Sequence, residues 1–358
     1  MKDFVYTGQP GRVVFRRRGV ASLGEEVAAL HIRRAIVLST PQQASWALNV
    51  AETLGRDRAA GVFTEAVMHV PVEVVRKAVE LAQALNADGL IAIGGGSTIG
   101  LAKAMALQTA LPIIAVPTTY AGSEMTPIWG MTENNLKRTG KDLRVLPKTV
   151  IYDPDLTVGL PVDLSMASAV NAIAHAAEGL YARDGNPVIS LMAEEGIRAL
   201  ASSMPLIRAN PHNEDARGDA LYGTWLCGSV LGNVGMALHH KLCHTLGGTF
   251  NLPHAEVHAL ILPHAIAFNT PAIGEACQRI RRALGTSESA AAGLFDLAKA
   301  NGIKMALKDI SAMTGADISN AVDLVLNAPY WNPRTIDESV RGDIEKLLWN
   351  AYEGNRPE

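Results

Sequence analysis

The hydrophobic pattern of this chain changes once, between Thr157 and Pro161, and that change limits what the chain can fold into. Before it, short apolar runs alternate with helical patterns: "AIVLS" at 35 to 39, "VEVVRKAVELAQALN", "GLIAIGGGS", "IGLAKAMALQ" and "IIAVPTT". Apolar strands in a strand-helix-strand rhythm predict a parallel sheet with helices on both faces. After "VIYDPDLTVGLP" the pattern is almost wholly helical, in Ala-, Leu- and Met-rich segments broken by "NP", "GN" and "PH". The expected organisation is an α/β domain over residues 1–158 and an all-α domain over 159–358. The site is expected in the cleft between them.

Composition narrows the function classes. Hydrophobic residues make up 48% and charged residues 19%, with a formal net charge of -3, which describes an ordinary globular protein and not a basic nucleic-acid binder. The only basic run, Arg16 to Arg18, reads as a solvated turn. "MKDFVYTGQPGRVVF" lacks the apolar core of a signal peptide, and no stretch approaches the ~20 apolar residues that cross a bilayer, so a cytoplasmic location without membrane contact is expected. Cys227, Cys243 and Cys277 are odd in number and lack CxxC spacing, which argues against disulfides and a thiolate zinc site.

Two segments of the first half carry ligand chemistry. "LIAIGGGSTIGLAKAMAL" reads as a buried strand, a glycine turn (Gly94, Gly95, Gly96) and a helix that Ser97 or Thr98 can cap. Such a turn lets the backbone approach a pyrophosphate at the positive end of a helix. It is neither G-x-G-x-x-G nor a Walker loop, and alone it is consistent with a tight turn. A second polar turn, "PTTYAGSEMT", places Thr118, Thr119 and Ser123 at the carboxyl end of the next strand, the usual ligand edge. The first half is therefore read as a Rossmann-like dinucleotide-binding domain. Its first strand ends in Ser39 and Thr40 with no carboxylate to repel a 2′-phosphate, so weak discrimination between NADH and NADPH is expected.

In the second half, six histidines fall between 239 and 264 in "HHKLCHTLGGTFNLPHAEVHALILPH". His240 and His244 are one helical turn apart, and His254 follows a Gly-Gly and Pro-bearing stretch read as a loop that folds it back toward them. Upstream, "VNAIAHAAEGL" puts Asn171 and His175 on one helical face. His239, His258 and His264 are read as structural, on other faces or beyond the loop. Converging imidazoles either bind a divalent ion or donate protons and stabilise anions. Asparagine at 171 supplies only a neutral carbonyl, where an aspartate would make a better ligand.

These segments, in this order over nearly the whole chain, resemble the iron-containing (group III) alcohol dehydrogenase family, which shares its fold with glycerol dehydrogenases and dehydroquinate synthases. The resemblance implies a metal site at Asn171, His175, His240 and His254, with His244 as a nearby catalytic histidine. Two departures stand out: the family's usual aspartate is Asn171, and the acid commonly found in the glycine-turn helix is Gly100. With Tyr120, they are similar to the branch that reduces maleylacetate to 3-oxoadipate in aromatic and chloroaromatic degradation, using NADH or NADPH and no required metal. That resemblance implies a degenerate metal site and a small dianionic substrate. It implies catalytic His244, His240, His175 and His254, with Asn171, Tyr120 and Lys241 at the substrate. Cofactor contacts are implied at Gly94, Gly95, Gly96, Ser97, Thr98, Thr118, Thr119, Ser123, Thr40 and Lys141. Lys241, Arg138, Lys141 and Arg144 are the cations near the motifs that suit the distal carboxylate. A homodimer is expected from the family alone. A metal-dependent alcohol dehydrogenase and a silent nucleotide-binding protein remain the alternative readings.

Overall fold

The computed structural model describes residues 4, 6–8, 11–134, 136–250 and 252–358. The chain divides into two compact units, one of Thr7–Leu160 and one built on Pro161–Glu358. In the first, strands β1 (Arg12–Phe15), β2 (Ala35–Leu38), β3 (Ala59–Phe63), β4 (Gly89–Gly94), β5 (Ile113–Pro117) and β8 (Thr149–Tyr152) form a sheet of order β1-β8-β5-β4-β2-β3. Every pairing in it is parallel. β6 (Ile128–Glu133) and β7 (Leu136–Lys141) form a separate antiparallel hairpin.

The alternation within each strand splits its side chains between two cores. Ile36, Leu38, Leu90 and Ala92 pack with helices α3 (Val72–Ala84) and α4 (Gly96–Thr109) on one face. Ala35, Val37, Ile91 and Ile93 pack with α1 (Leu23–Ala29) and α2 (Ala44–Leu54) on the other. Continuous apolar strands are required because both faces are covered, and the expected α/β layering is present. The hairpin was not anticipated. Strand β7 is polar and largely exposed and so carries no core signal, while β6, with Ile128, Trp129 and Met131, is half-buried throughout.

After β2 the chain steps outward to β3 and then crosses back to β4 on the other side of β2. The carboxyl ends of β2 and β4 therefore flank the point where strand order reverses, which is where open α/β sheets bind ligands. Thr40 follows one of these ends and Gly94 closes the other.

The second unit is helical, as its pattern predicts. Among its described residues the helices are α5 (Val162–Gly179), α6 (Pro187–Ala209), α7 (Glu214–Asn233), α8 (Leu238–Phe250), α9 (His254–Asn269), α10 (Gly274–Leu284), α11 (Ala290–Ala300), α12 (Gly315–Asn327) and α13 (Arg341–Glu353). Helix α5 is buried without a break from Ser165 to Gly179. Leu238, Leu242 and Leu246 of α8 pack with Val257, Leu260 and Ile261 of α9, which holds the two histidine-bearing helices side by side. Gly247 and Gly248 continue α8 instead of forming a loop, and α9 begins at His254, close after α8 ends at Phe250.

Candidate active site

The glycine turn is built by close approach. Gly94 has φ +157, and a Cβ there would lie 2.4 Å from Thr98 Oγ1; a Cβ on Gly95 would lie 2.8 Å from Thr119 Cγ2. Gly96 meets nothing within 4 Å. Neither Ser97 nor Thr98 caps α4, contrary to the sequence reading. Gly95 holds the cap position without a side-chain hydrogen bond, and both hydroxyl residues lie inside the first turn. The first N–H groups of a long helix are thus left for an anion. The buried Thr98 Oγ1 has no hydrogen-bond partner.

Two further groups shape this edge. Gln43, just before α2, donates from Nε2 to Thr118 Oγ1 at 2.9 Å and so ties the end of β2 to the end of β5. Lys103, fully buried on α4, donates to Ser123 O (2.6 Å), Thr126 Oγ1 (2.9 Å) and Ile128 O (2.8 Å), fixing the turn that carries Ser123. Burial pulls the Lys103 pKa down to about 7, against the charge of Glu124, which accepts from Tyr152 OH at 2.7 Å. Sequence reasoning missed Gln43 and Lys103, although "AKA" lies on the helix that the glycine turn opens. Tyr120 is fully buried behind the second turn. Thr40 opens the turn before α2, and Lys141 is exposed at the end of β7.

In the helical unit, α5, α8 and α9 gather the imidazoles. Ring centroids of His175 and His240 are 5.2 Å apart, those of His240 and His244 6.0 Å, and those of His240 and His258 5.0 Å. His258 lies 4.2 Å from His254 by the same measure, because the two are one turn apart on α9. The assignment of His258 to a structural role elsewhere is therefore corrected: it sits at the centre of the cluster. His239 also belongs to it, with Nε2 donating to His258 O at 2.9 Å and Nδ1 3.2 Å from His240 Nδ1. His264 stands apart, its ring 6.4 Å from Phe295.

Burial sets the charge state. It drives the pKa values of His175, His240 and His258 well below the ordinary imidazole value, with neighbouring histidines adding to the fall, and takes His239 to about 4. His244 and His254 are exposed. His244 Nδ1 lies 3.1 Å from Tyr330 OH, and Lys241 Nζ lies 5.7 Å from the Tyr330 ring. Two of the suggested cations are engaged locally: Arg138 pairs with Glu133 at 2.9 Å and Arg144 with Asp142 at 2.7 Å. Glu178 was also missed. It is fully buried, three residues after His175, and accepts from His240 Nδ1 at 2.7 Å.

The donor set bears directly on a metal. Asn171 Oδ1, His175 Nδ1, His240 Nε2 and both His258 nitrogens are buried without hydrogen-bond partners. All are neutral. The nearest buried acid, Glu178, is committed to the amides of Ala237 and His239 and to His240. A buried divalent ion here would lack the anionic oxygen ligand that an aspartate at 171 would supply, so these residues do not fit a tightly held iron.

Family models place the chain. Residues 10–154 match the model for iron-containing alcohol dehydrogenase, and residues 165–352 match that for the C-terminal part of the Fe-containing alcohol dehydrogenase family. The chain belongs to the iron-containing alcohol dehydrogenase family. It is 55% identical over 357 residues, spanning 100% of both chains, to a maleylacetate reductase from Burkholderia cepacia. The crystal structure of maleylacetate reductase from Agrobacterium tumefaciens is 50% identical and superposes with a TM-score of 0.96 over 100% of both chains. An iron-containing alcohol dehydrogenase from Corynebacterium glutamicum is 43% identical, with a TM-score of 0.93 over 100% of this chain and 99% of that one. Among the described residues no helix is long and apolar enough to cross a membrane.

Proposed function

We propose that this protein is an oxidoreductase that reduces maleylacetate to 3-oxoadipate with NADH or NADPH, without requiring a metal. The observation that carries the reading is the 55% identity to a maleylacetate reductase over the full length of both chains. The neutral donor set at Asn171, His175 and His240 agrees with it.

A bound nicotinamide would supply hydride to the alkene carbon β to the ketone. Negative charge moves onto the ketone oxygen as an enolate, and a proton completes the reduction at the carbon α to the ketone. Gly94, Gly95 and the first turn of α4 hold the cofactor pyrophosphate, with Thr118, Thr119 and Ser123 on the second turn and Thr40 and Lys141 beyond them. Ser39 and Thr40 offer no charge against a 2′-phosphate, so both cofactors are accepted. The enolate oxygen is stabilised by imidazole N–H groups aimed at it. His244, exposed and joined to Tyr330 OH, supplies the proton, while His175, His240 and His254 shape the pocket with Asn171. Lys241, held near the same tyrosine, faces a substrate carboxylate. The chain works as a cytoplasmic homodimer, a reading supported by the family resemblance alone.

The test is NADH and NADPH oxidation on adding maleylacetate, each with and without chelator. Oxidation with both cofactors, unchanged by chelator, is expected. Activity lost to chelator and restored by iron or zinc would establish a metal-dependent dehydrogenase instead, and cofactor binding without turnover would mark a silent nucleotide-binding protein.

A further inference from the structure

Glu178 hangs inside the helical unit on four donors. Its Oε2 accepts from Ala237 N at 2.8 Å and His240 Nδ1 at 2.7 Å; its Oε1 accepts from His239 N at 2.8 Å and Tyr181 OH at 3.3 Å. The amides of Ala237 and His239 open α8, so the carboxylate also meets the positive end of that helix. Three of these donors hold it in place independently of the histidine ring it faces.

The protons of the two adjacent rings follow from what their partners can do. A carbonyl only accepts, so His239 Nε2, 2.9 Å from His258 O, carries the proton and His239 Nδ1 is bare. That bare nitrogen lies 3.2 Å from His240 Nδ1. Two lone pairs at that distance would repel, so His240 Nδ1 carries a proton, shared between His239 and the nearer carboxylate. His240 Nε2 is then unprotonated in the neutral ring, and it is buried without a partner.

We propose that Glu178 is the positioning residue of the histidine cluster: it fixes His240 as the Nδ1–H tautomer and leaves Nε2 as the one atom at which His240 meets a ligand. The neutral ring then accepts a hydrogen bond at Nε2, so any proton it exchanges with a substrate moves at that atom. Neutral His240 does not donate to the enolate oxygen, and that task falls to the other imidazoles.

The kinetic half of the test rests on maleylacetate reduction being the reaction; the spectroscopic half needs no substrate and stands apart from it. In protein labelled with 15N-histidine, the His240 signals, assigned by their absence in His240→Asn, are expected to show a protonated Nδ1 and a bare Nε2. The reverse tautomer in the wild type overturns the proposal. Glu178→Leu leaves only the longer His239 Nδ1 contact at 3.2 Å to hold the proton, so it is expected to give a mixture of the two tautomers and to lower kcat about 100-fold, with the KM for NADH within about threefold, while Glu178→Gln, which keeps one acceptor oxygen, recovers at least roughly tenfold of kcat. An unchanged tautomer or unchanged kcat in the leucine variant also overturns it. If the leucine variant fails to fold, the wild-type spectrum and the glutamine variant decide. Absence of maleylacetate turnover in the wild type refutes the reaction and leaves the tautomer test intact.

Discussion

His244 and His264 are both helical histidines, yet their surroundings give them opposite prospects. His244 is exposed and hydrogen-bonded to Tyr330, so its ring is within reach of solvent and ligand. His244→Ala is expected to lower kcat roughly 100-fold while the KM for NADH stays within about threefold. Steady-state kinetics check this, and unchanged turnover removes His244 from the mechanism. His264 is buried, its Nε2 lacks a partner, and burial pulls its pKa down to about 4. As pH falls from about 6.5 to 4, the unfolded chain takes up a proton there that the folded chain does not, so stability falls by about 1.4 kcal/mol per pH unit for this group. Below about pH 4 both states are protonated and the dependence ends. His264→Leu should therefore flatten the fall in denaturant midpoint between pH 6.5 and 4.5; an identical slope would mean that His264 titrates normally. Residue roles were legible where helical spacing sets them. Asn171 with His175 and His240 with His244 follow from four-residue steps, and Glu178 was legible too, on the face of His175. His258 was misread because Gly247 and Gly248 suggested a loop where the helix continues. Tyr330 carries no local signal, since its contact with His244 spans 86 residues and depends on tertiary packing.

At the scale of elements, the β4 turn shows how backbone geometry restricts side chains. Gly94 tolerates no Cβ, on both its φ and its distance to Thr98, whereas Gly95 has ordinary φ -88 and conflicts only with the Thr119 side chain. Gly95→Ala should therefore fold and push Thr119 toward the mouth of the turn. Its Kd for NADH is expected to rise roughly tenfold with kcat little changed, a loss of about 1.4 kcal/mol in cofactor binding. Fluorescence titration with NADH measures this, and wild-type affinity would place the pyrophosphate elsewhere. Gly100, on the same helix, has its own reason to be glycine: a Cβ there would lie 2.8 Å from Val70 Cγ2. Val70 has φ 49, a left-handed conformation rare for a β-branched residue, and its carbonyl accepts from Thr132 N of β6 at 3.1 Å. Any side chain at 100, the acid that the family resemblance leads one to expect included, would press on this positive-φ segment before α3. Strands β2, β4 and β5 were legible because each is a continuous apolar run bounded by turn residues, whereas β1 and β3, only partly buried at the sheet edges, were not anticipated. Nor was the hairpin, because β7 is polar and exposed, and only Met131 of β6 reaches the core on the α3 and α4 face.

At the scale of the whole molecule, each unit carries its own motif, and the sequence showed where the pattern changes because strand and helix periodicities differ. What it left open was the consequence of Asn171, and the fold sharpens that question. Position 171 lies in the uninterrupted buried span of α5, with Glu178 two turns further along the same face, about 10 Å away. Asn171→Asp would place a second carboxylate there, next to imidazoles that burial keeps neutral. Without a cation this is a buried unpaired charge, costing several kcal/mol unless the group protonates. The apo variant should melt at least about 5 °C below the wild type. With a divalent ion the sign reverses, because the new carboxylate joins His175 and His240 as the anionic ligand the site lacks. Zinc at 100 times its dissociation constant would then restore about 2.7 kcal/mol through binding to the folded state alone. The expected result is a zinc-dependent rise in melting temperature for the variant and none for the wild type, with bound metal confirmed by elemental analysis. An equal zinc response in both proteins would show that asparagine does not weaken the site. A variant that is neither destabilised nor responsive would show that residue 171 does not face the imidazoles at all.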